Sequence, residues 1–482
     1  MADTAEKPQD KYRIPLKRAA VDVKRLPDGS LILRSPYDLP EPANDIGVWL
    51  RRWAKEDPNR LFMAKLHRSD TTTPSWEEIT YGNALNQVRA IAQALAKRDL
   101  SPDRPVLILS KNGIQNALLQ LAAMDIGVPA IHINPALALD PNQLDSFKHV
   151  LDQTSPGLVF AAEGKPFEVA LHYAAEQEAE VLLGDMPIKG LKSTNFKKFT
   201  KAWRKSAAKK ARALVTPDTT AKVHFTGTSP NEMTAIVTSQ ATMCANHEAL
   251  AQVIPALTTR PPIIVDDAPW HRAGSGNLVL NAVLRNGGTL YIDRFGLDEG
   301  DDVSLVSPSP SIHITELVPL YGLISRLEEN VLLRKTFFRN LDLIWIVSGM
   351  ITAEAEAKLQ NLAVEQINCQ IPILTSLTGT GTSAVNTARY FATDESNYLE
   401  GNIGLPLPGT YLKLEKTDDI ENSFFELKVK GFDANGGPAL WHEGRVSQAE
   451  TDEDGFYAIN ETVRLIDEMR PFKGIERISR VD

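Results

Sequence analysis

A chain of 482 residues with 43% hydrophobic and 23% charged residues has the composition of a soluble globular protein, large enough for one big domain or two to three subdomains. A net charge of −9 argues against a general nucleic-acid or anionic-membrane binder, so neither is expected as a partner. The two cysteines, Cys244 and Cys369, fit no disulfide or metal pattern and suggest a reducing compartment; with no apolar run of bilayer length and no signal-peptide core, the cytoplasm is the default location.

Residues 1–20 are expected to form a disordered arm, followed by an α/β subdomain over 21–220, a second over 221–400 and a β-rich subdomain over 401–482. Residues 21–36 read as a hairpin around Pro27, Asp28 and Gly29. Helical spacing covers 46–57 and 81–97. A buried strand at 106–109, an Ala/Leu-rich helix at 112–125 and a returning strand at 127–133 make a βαβ unit, which predicts a parallel sheet. Strands at 158–161 and 181–183 continue the alternation around a helix at 166–177. The basic stretch 197–212 reads as a solvated surface helix, with an acidic partner or membrane surface as the functional alternative.

Next comes 223–247, a strand end, a hydroxyl- and glycine-rich loop (Thr226, Gly227, Thr228, Ser229), a β-branched run at 235–238 and a helix at 240–254. Strand, loop, strand presents backbone N–H groups and hydroxyls to an anion, and simple loop capping is the alternative. It is not a Walker loop, because no G-K-(S/T) follows. Over 266–294 a turn carrying His271 leads to a helix at 277–284 that Gly287 caps, then to a strand at 289–292. Helices are expected at 314–327, 330–339 and 353–363, and strands at 343–347 and 371–375. The last two run into Ser348-Gly349-Met350 and Thr378–Ser383, at strand carboxyl ends where open α/β sheets bind ligands. Short strands at 411–415, 424–429, 455–459 and 463–466 close the chain.

The loop resembles the phosphate loop T-S-G-(S/T)-T-G-x-P-K-G of the AMP-forming acyl-CoA synthetases. Similar segments follow in the same order: Pro269–Gly274, Gly287–Ile292, Ser348–Met350, Thr378–Thr382, GNIGLPLPGTYLK, FELKVKG and DGFYAINETVRLID. LPDGSLILRSP, TSPGLVFAAEGKPF and NGGTLYID are closest to the feruloyl-CoA synthase branch. The resemblance spans roughly residues 21–482. It implies the large N-terminal domain of an adenylate-forming enzyme, with two αβαβα-type subdomains, a β-barrel-like subdomain and no C-terminal lid.

The resemblance also implies a two-step ligation, in which a carboxylate attacks the α-phosphate of ATP and a thiol, usually coenzyme A, displaces AMP, with Mg²⁺ offsetting phosphate charge. It places nucleotide contacts at Thr226, Gly227, Thr228, Ser229, Thr234, Gly349, Thr378, Gly379, Thr380, Gly381, Glu461 and Arg480, and an acyl pocket at His271, Gly274, Asn277, Ser348 and Met350. A structural histidine is the alternative for His271, a helix N-cap for Asn277 and a surface turn carboxylate for Glu461. The implied partner is a small aryl or acyl carboxylic acid; a homodimer is left open.

Several positions depart from the pattern. Thr234 stands for the loop lysine, Pro230 for a threonine, Asn231 for a glycine, Gly381 for the metal-binding glutamate and Glu461 for the ribose aspartate. Pro230 has no N–H to give, and Thr234 and Gly381 remove groups that would counter phosphate charge. Loss of one such group typically costs about two to three orders of magnitude in rate. The reading is therefore a ligase-like protein without efficient ligase activity that binds an acid. The alternatives are an active ligase with rearranged contacts or a lid in trans, and a scaffold with a collapsed pocket. Trp270, Trp345 and Trp441 are read as core residues.

Overall fold

The computed structural model describes residues 12–67, 75–201, 206–227, 229–292, 308–347, 349, 351–378, 384–389, 391–392, 401–417, 424–432 and 437–478. The βαβ unit is present as predicted: Val106–Ile108 and Ala130–His132 pair in parallel, joined by helix Ile114–Met124. Every residue of both strands is buried, as a parallel sheet covered on both faces requires. They sit inside a sheet of nine described strands in the order Ser193–Asn195, Glu180–Leu183, Leu158–Ala161, Val106–Ile108, Ala130–His132, Thr220–Thr226, Thr234–Ser239, Ala439–His442, Arg445–Gln448. Pairing is parallel through Thr220–Thr226 and antiparallel beyond it.

A second parallel run pairs Ile373–Leu377, Leu343–Ile346, Ile312–Thr315, Ile263–Asp266, Thr289–Ile292 and Leu61–His67. Helices Tyr81–Leu95, Ile114–Met124, Gln240–Val253 and Ala273–Asn286 contribute to one core with Ile108 and Leu158 of the first sheet and Ile264, Ile312 and Trp345 of the second. These helices form a layer shared between the two sheets, and both sheets point their carboxyl ends at a common seam. Strands Asp22–Arg25, Leu31–Arg34, Tyr411–Lys416, Phe425–Lys430, Tyr457–Leu465 and Ile475–Arg477 form the antiparallel β-rich part around a separate apolar core. Trp270, Trp345 and Trp441 are all buried, as expected of core residues.

Several expectations need correction. The helix expected at 314–327 is Leu317–Glu329, and its first two expected residues belong to a fully buried strand, Ile312–Thr315, that was not expected. The helix expected at 277–284 is Ala273–Asn286, so Asn277 lies inside it rather than at its N-cap; Arg272 is the N-cap. The basic helix at 197–212 is two short helices, Phe196–Phe199 and Ser206–Arg212. The strands expected at 455–459 and 463–466 are one, Tyr457–Leu465, with a register shift near Asn460, whose φ is +56°. Part of the expected arm is structured: Lys17–Arg18 pairs in parallel with Phe391–Ala392, while residues 1–11 lie outside the described residues.

Candidate functional site

A polar clasp spans the seam between the two sheets. Asn112, just beyond strand Val106–Ile108, donates to the Ala268 carbonyl at 2.8 Å and accepts from the Trp270 N–H at 3.0 Å. Asp266 ends strand Ile263–Asp266 and is fully buried. It accepts from Trp270 Nε1 at 2.8 Å and from the Ala268 N–H at 3.0 Å. Burial pushes the Asp266 carboxyl well above the usual carboxylate range, against the Trp270 bond that favours its charged form. Asp266 and Asn112 together fix the turn that carries His271.

That turn walls a cavity of about 800 Å³ lined by Lys65, Lys111, Asn112, Asp266 and His271 with apolar Leu139 and Ile292. A smaller cavity of about 420 Å³ adjoins it and shares Lys65, Lys111 and Asn112. Burial, assisted by the neighbouring Arg272, lowers the His271 pKa to about 4, so the imidazole is neutral at physiological pH and can hydrogen-bond without adding charge. Lys65 and Lys111 are the cations of this cavity among its lining residues. Neither was singled out in the sequence, where a lone lysine carries no signal; Asp266 at the end of a β-branched run was the cue available.

Helix Ala273–Asn286 starts beside this cavity. A methyl group on Gly274 would lie 3.3 Å from Thr378 Oγ1, so the helix's first turn and the end of strand Ile373–Leu377 abut, bringing two expected site residues together. The segment after Thr378–Ser383 is tied back by Asn246, which donates to the Val385 carbonyl at 2.8 Å. Asn277 faces inward, donating to Thr238 Oγ1 at 3.2 Å, while its carbonyl contacts His247 Nε2 at 2.9 Å. Beneath the same turn, buried Lys222 donates to the Gly276 carbonyl at 2.6 Å. His224 and His132 face each other across the sheet there, their rings 6.5 Å apart.

The expected phosphate loop is a hairpin between Thr220–Thr226 and Thr234–Ser239, with Thr226 opposite Thr234. Gly227 has φ +78°, and a Cβ there would come within 2.6 Å of the Glu232 carbonyl, so this turn requires glycine. Ser229 Oγ donates to Glu232 Oε2 at 2.8 Å, so the hydroxyl meant for an anion is bound to a carboxylate. Glu461 is also engaged: its Oε2 accepts from Arg477 Nε at 2.6 Å. Gly349 has φ +79° in an exposed bend. Thr228, Ser348, Met350, Gly379, Thr380, Gly381 and Arg480 lie outside the described residues.

Residues 50–431 match the family described as AMP-binding enzyme. No curated protein matches the chain in sequence. Solved structures share the fold. The long-chain-fatty-acid-CoA ligase of Archaeoglobus fulgidus superposes with a TM-score of 0.69 at 14% identity, covering 93% of this chain and 86% of that one. A benzoate CoA ligase from Burkholderia xenovorans gives 0.66 at 15% identity, covering 91% and 80%. The luciferase-like enzyme of the mealworm Zophobas morio gives 0.67 at 16% identity, covering 97% and 99%.

Proposed function

From the premise that this chain belongs to the AMP-binding enzyme family, we propose that it is an acyl/aryl-CoA synthetase-like protein that binds an aryl or acyl carboxylic acid and lacks efficient ligase activity. The observation that carries this reading is the charge of the hairpin loop. Between Thr226 and Thr234 the only charged side chain is Glu232, and it takes up the Ser229 hydroxyl. A loop meant for phosphates needs donors and positive charge. This one offers a carboxylate, and Pro230 and Thr234 remove an N–H and an ammonium. The carboxylate that would meet ribose hydroxyls, Glu461, is held by Arg477. The residues present therefore fit a magnesium-bound nucleotide poorly, and no step is derived through one.

The cavity beside His271 suits an organic acid better. Leu139, Pro269 and Ile292 give it apolar walls, and Lys65 and Lys111 supply positive charge for a carboxylate on a wall that also carries Asp140, Asp266 and Asp267. The feruloyl-CoA synthase-like segments favour an aromatic acid such as ferulate. A cavity of this size also speaks against a scaffold with a collapsed pocket. The active-ligase reading draws support from the same two lysines, which could counter phosphate charge from positions outside the family motif.

Calorimetric titration separates these readings. Micromolar binding of ferulate or a related acid, with no heat from ATP–Mg²⁺ or AMP, is the expected result. Tight nucleotide binding followed by acid-dependent pyrophosphate release would overturn the proposal in favour of an active ligase.

A further inference from the structure

Charge is unevenly spread along this acidic chain. Between Met186 and Val215 there are ten lysines and arginines and no Asp or Glu, in a protein of net charge −9. The two short helices in this stretch dock firmly. Phe196 and Phe199 are buried, and the Phe199 ring lies 4.0 Å from the Arg98 guanidinium. Gln93 Oε1 accepts from the backbone N–H groups of Ala207 and Ala208 at the start of the second helix. Arg212 Nε donates to Asp125 Oδ1 at 2.7 Å at its end. Both helices pack on helix Tyr81–Leu95, so they share one side of the molecule.

The side chains left facing outward are Lys197, Lys198, Lys201, Lys209 and Lys210, all exposed, and no described carboxylate pairs with any of them. A large apolar side chain stands out at each end of the segment: Met186 and Leu214 are each 79% exposed. Lysines can simply guard a sheet edge, and Ser193–Asn195 is the edge strand here. Four of these five, however, sit on the two helices beyond that strand, and Lys201 on the turn after the first.

We propose that this face is a docking surface for an anionic lipid bilayer, with the lysines over the headgroups and Leu214, just past the second helix, dipping into the interface. Charge acts over about 8–10 Å at physiological salt, so a local patch, not the net charge, decides what a protein surface attracts. Clustered lysines each add attraction to an anionic surface, and a projecting aliphatic side chain adds a small apolar contribution on insertion. Exposed aliphatic groups favour a bilayer over a single strand, which would call for stacking aromatics, and over a duplex, whose phosphates offer them no apolar surface. The surface is independent of the acid-binding reading above, although it would place the protein where amphipathic acids partition.

Co-sedimentation of the full chain with phosphatidylcholine vesicles, with and without about one-third phosphatidylserine, tests this. Binding is expected to the anionic vesicles only and to fall steeply with salt. Replacing Lys197, Lys198, Lys209 and Lys210 by Gln should weaken it at least tenfold, with an unchanged melting temperature. Leu214→Asp should weaken it severalfold. Equal binding to neutral vesicles, no binding at low salt, or wild-type binding by a folded Lys→Gln variant would overturn the proposal. Polyglutamate binding as tight as vesicle binding, with no effect of Leu214→Asp, would reassign the surface to an acidic protein and also overturn it.

Discussion

The two ends of strand Thr220–Thr226 carry opposite chemistry. At its buried root lie Lys222 and His224, fully enclosed, with no carboxylate among the described residues hydrogen-bonded to either. At its mouth lies a hairpin whose only charge is the Glu232 carboxylate. A phosphate site needs the reverse order, with positive charge at the solvent-facing loop and an apolar root. Burying a lysine is unfavourable in proportion to the desolvation of its ammonium, and this strand accepts that penalty without placing the charge where an anion could reach it. Positive charge on a strand therefore says little about ligand binding until its position along the strand is known.

The largest expected effect concerns the root and its surroundings. Burial lowers the pKa of His132, His224, His247 and His313, with values of about 4 for the last two. Folded-state pKa values below the unfolded value of about 6.5 mean that the unfolded chain binds more protons between pH 6.5 and 4. Stability should thus be intact above pH 6.5 and be lost steeply on acidification through that window, with roughly 3 kcal/mol from each of His247 and His313. Urea titrations at pH 7, 6 and 5 would show it, and a flat stability across that range would break the contrast.

Lys222 gives the next effect, in a different window. Burial lowers its pKa to about 7 from 10.5, so the unfolded chain binds the extra proton between those values. Stability should rise from pH 7 to pH 10 by up to about 5 kcal/mol from this residue alone. Lys222→Met, which keeps the volume without the charge, should stabilise the protein by about 2–4 kcal/mol at pH 7 and by much less at pH 10. Loss of stability at both pH values would instead mean that the bond to the Gly276 carbonyl dominates.

Two glycines sharpen the same comparison. Gly276→Ala would place a methyl 2.2 Å from the Trp270 carbonyl and 3.0 Å from His224 Nε2, with no flexible group to yield. A loss of about 2–3 kcal/mol is expected. Gly227→Ala combines a φ of +78° with a contact of 2.6 Å to the Glu232 carbonyl, but in an exposed turn that can shift, and should cost about 1–2 kcal/mol. Thermal melts of both variants would rank root above mouth, and the opposite ranking would show that the hairpin is the stiffer element.

The sequence signals for local structure were strong where short-range chemistry decides. The βαβ unit over 106–132, the hairpin at Gly29 and the cap at Gly287, with φ +66°, all follow from periodicity and turn residues. Failures came where packing decides. Ala273-Gly274-Ser275-Gly276 is poor helix sequence, yet it forms the first turn of a 14-residue helix because glycine lets that turn press against Trp270 and His224. Ile312–Thr315 runs straight into helix Leu317–Glu329, leaving no breaker to mark it as a separate strand. The cavity escaped notice for another reason: Lys65, Lys111, Asp266 and His271 come from three distant stretches, joined by the Asn112 clasp and by strand pairing through Ile292.

The smallest effect is the most direct test of the mouth. If Glu232 and Thr234 are what keep nucleotide phosphates out, then Glu232→Gln with Thr234→Lys should improve ATP binding by roughly tenfold, since each change is worth about one charge interaction at a solvent-exposed site. The fold should be indifferent, because Glu232 and Thr234 are both exposed. Ferulate affinity should not change, because the cavity at His271 is lined by neither residue. Calorimetry on the double variant therefore reads two sites at once. A gain for ATP alone would place the defect in the loop's charge. No gain would move it to the backbone, where Pro230 and the replaced glycine at Asn231 remove the close approach that a phosphate needs and that no added lysine can restore.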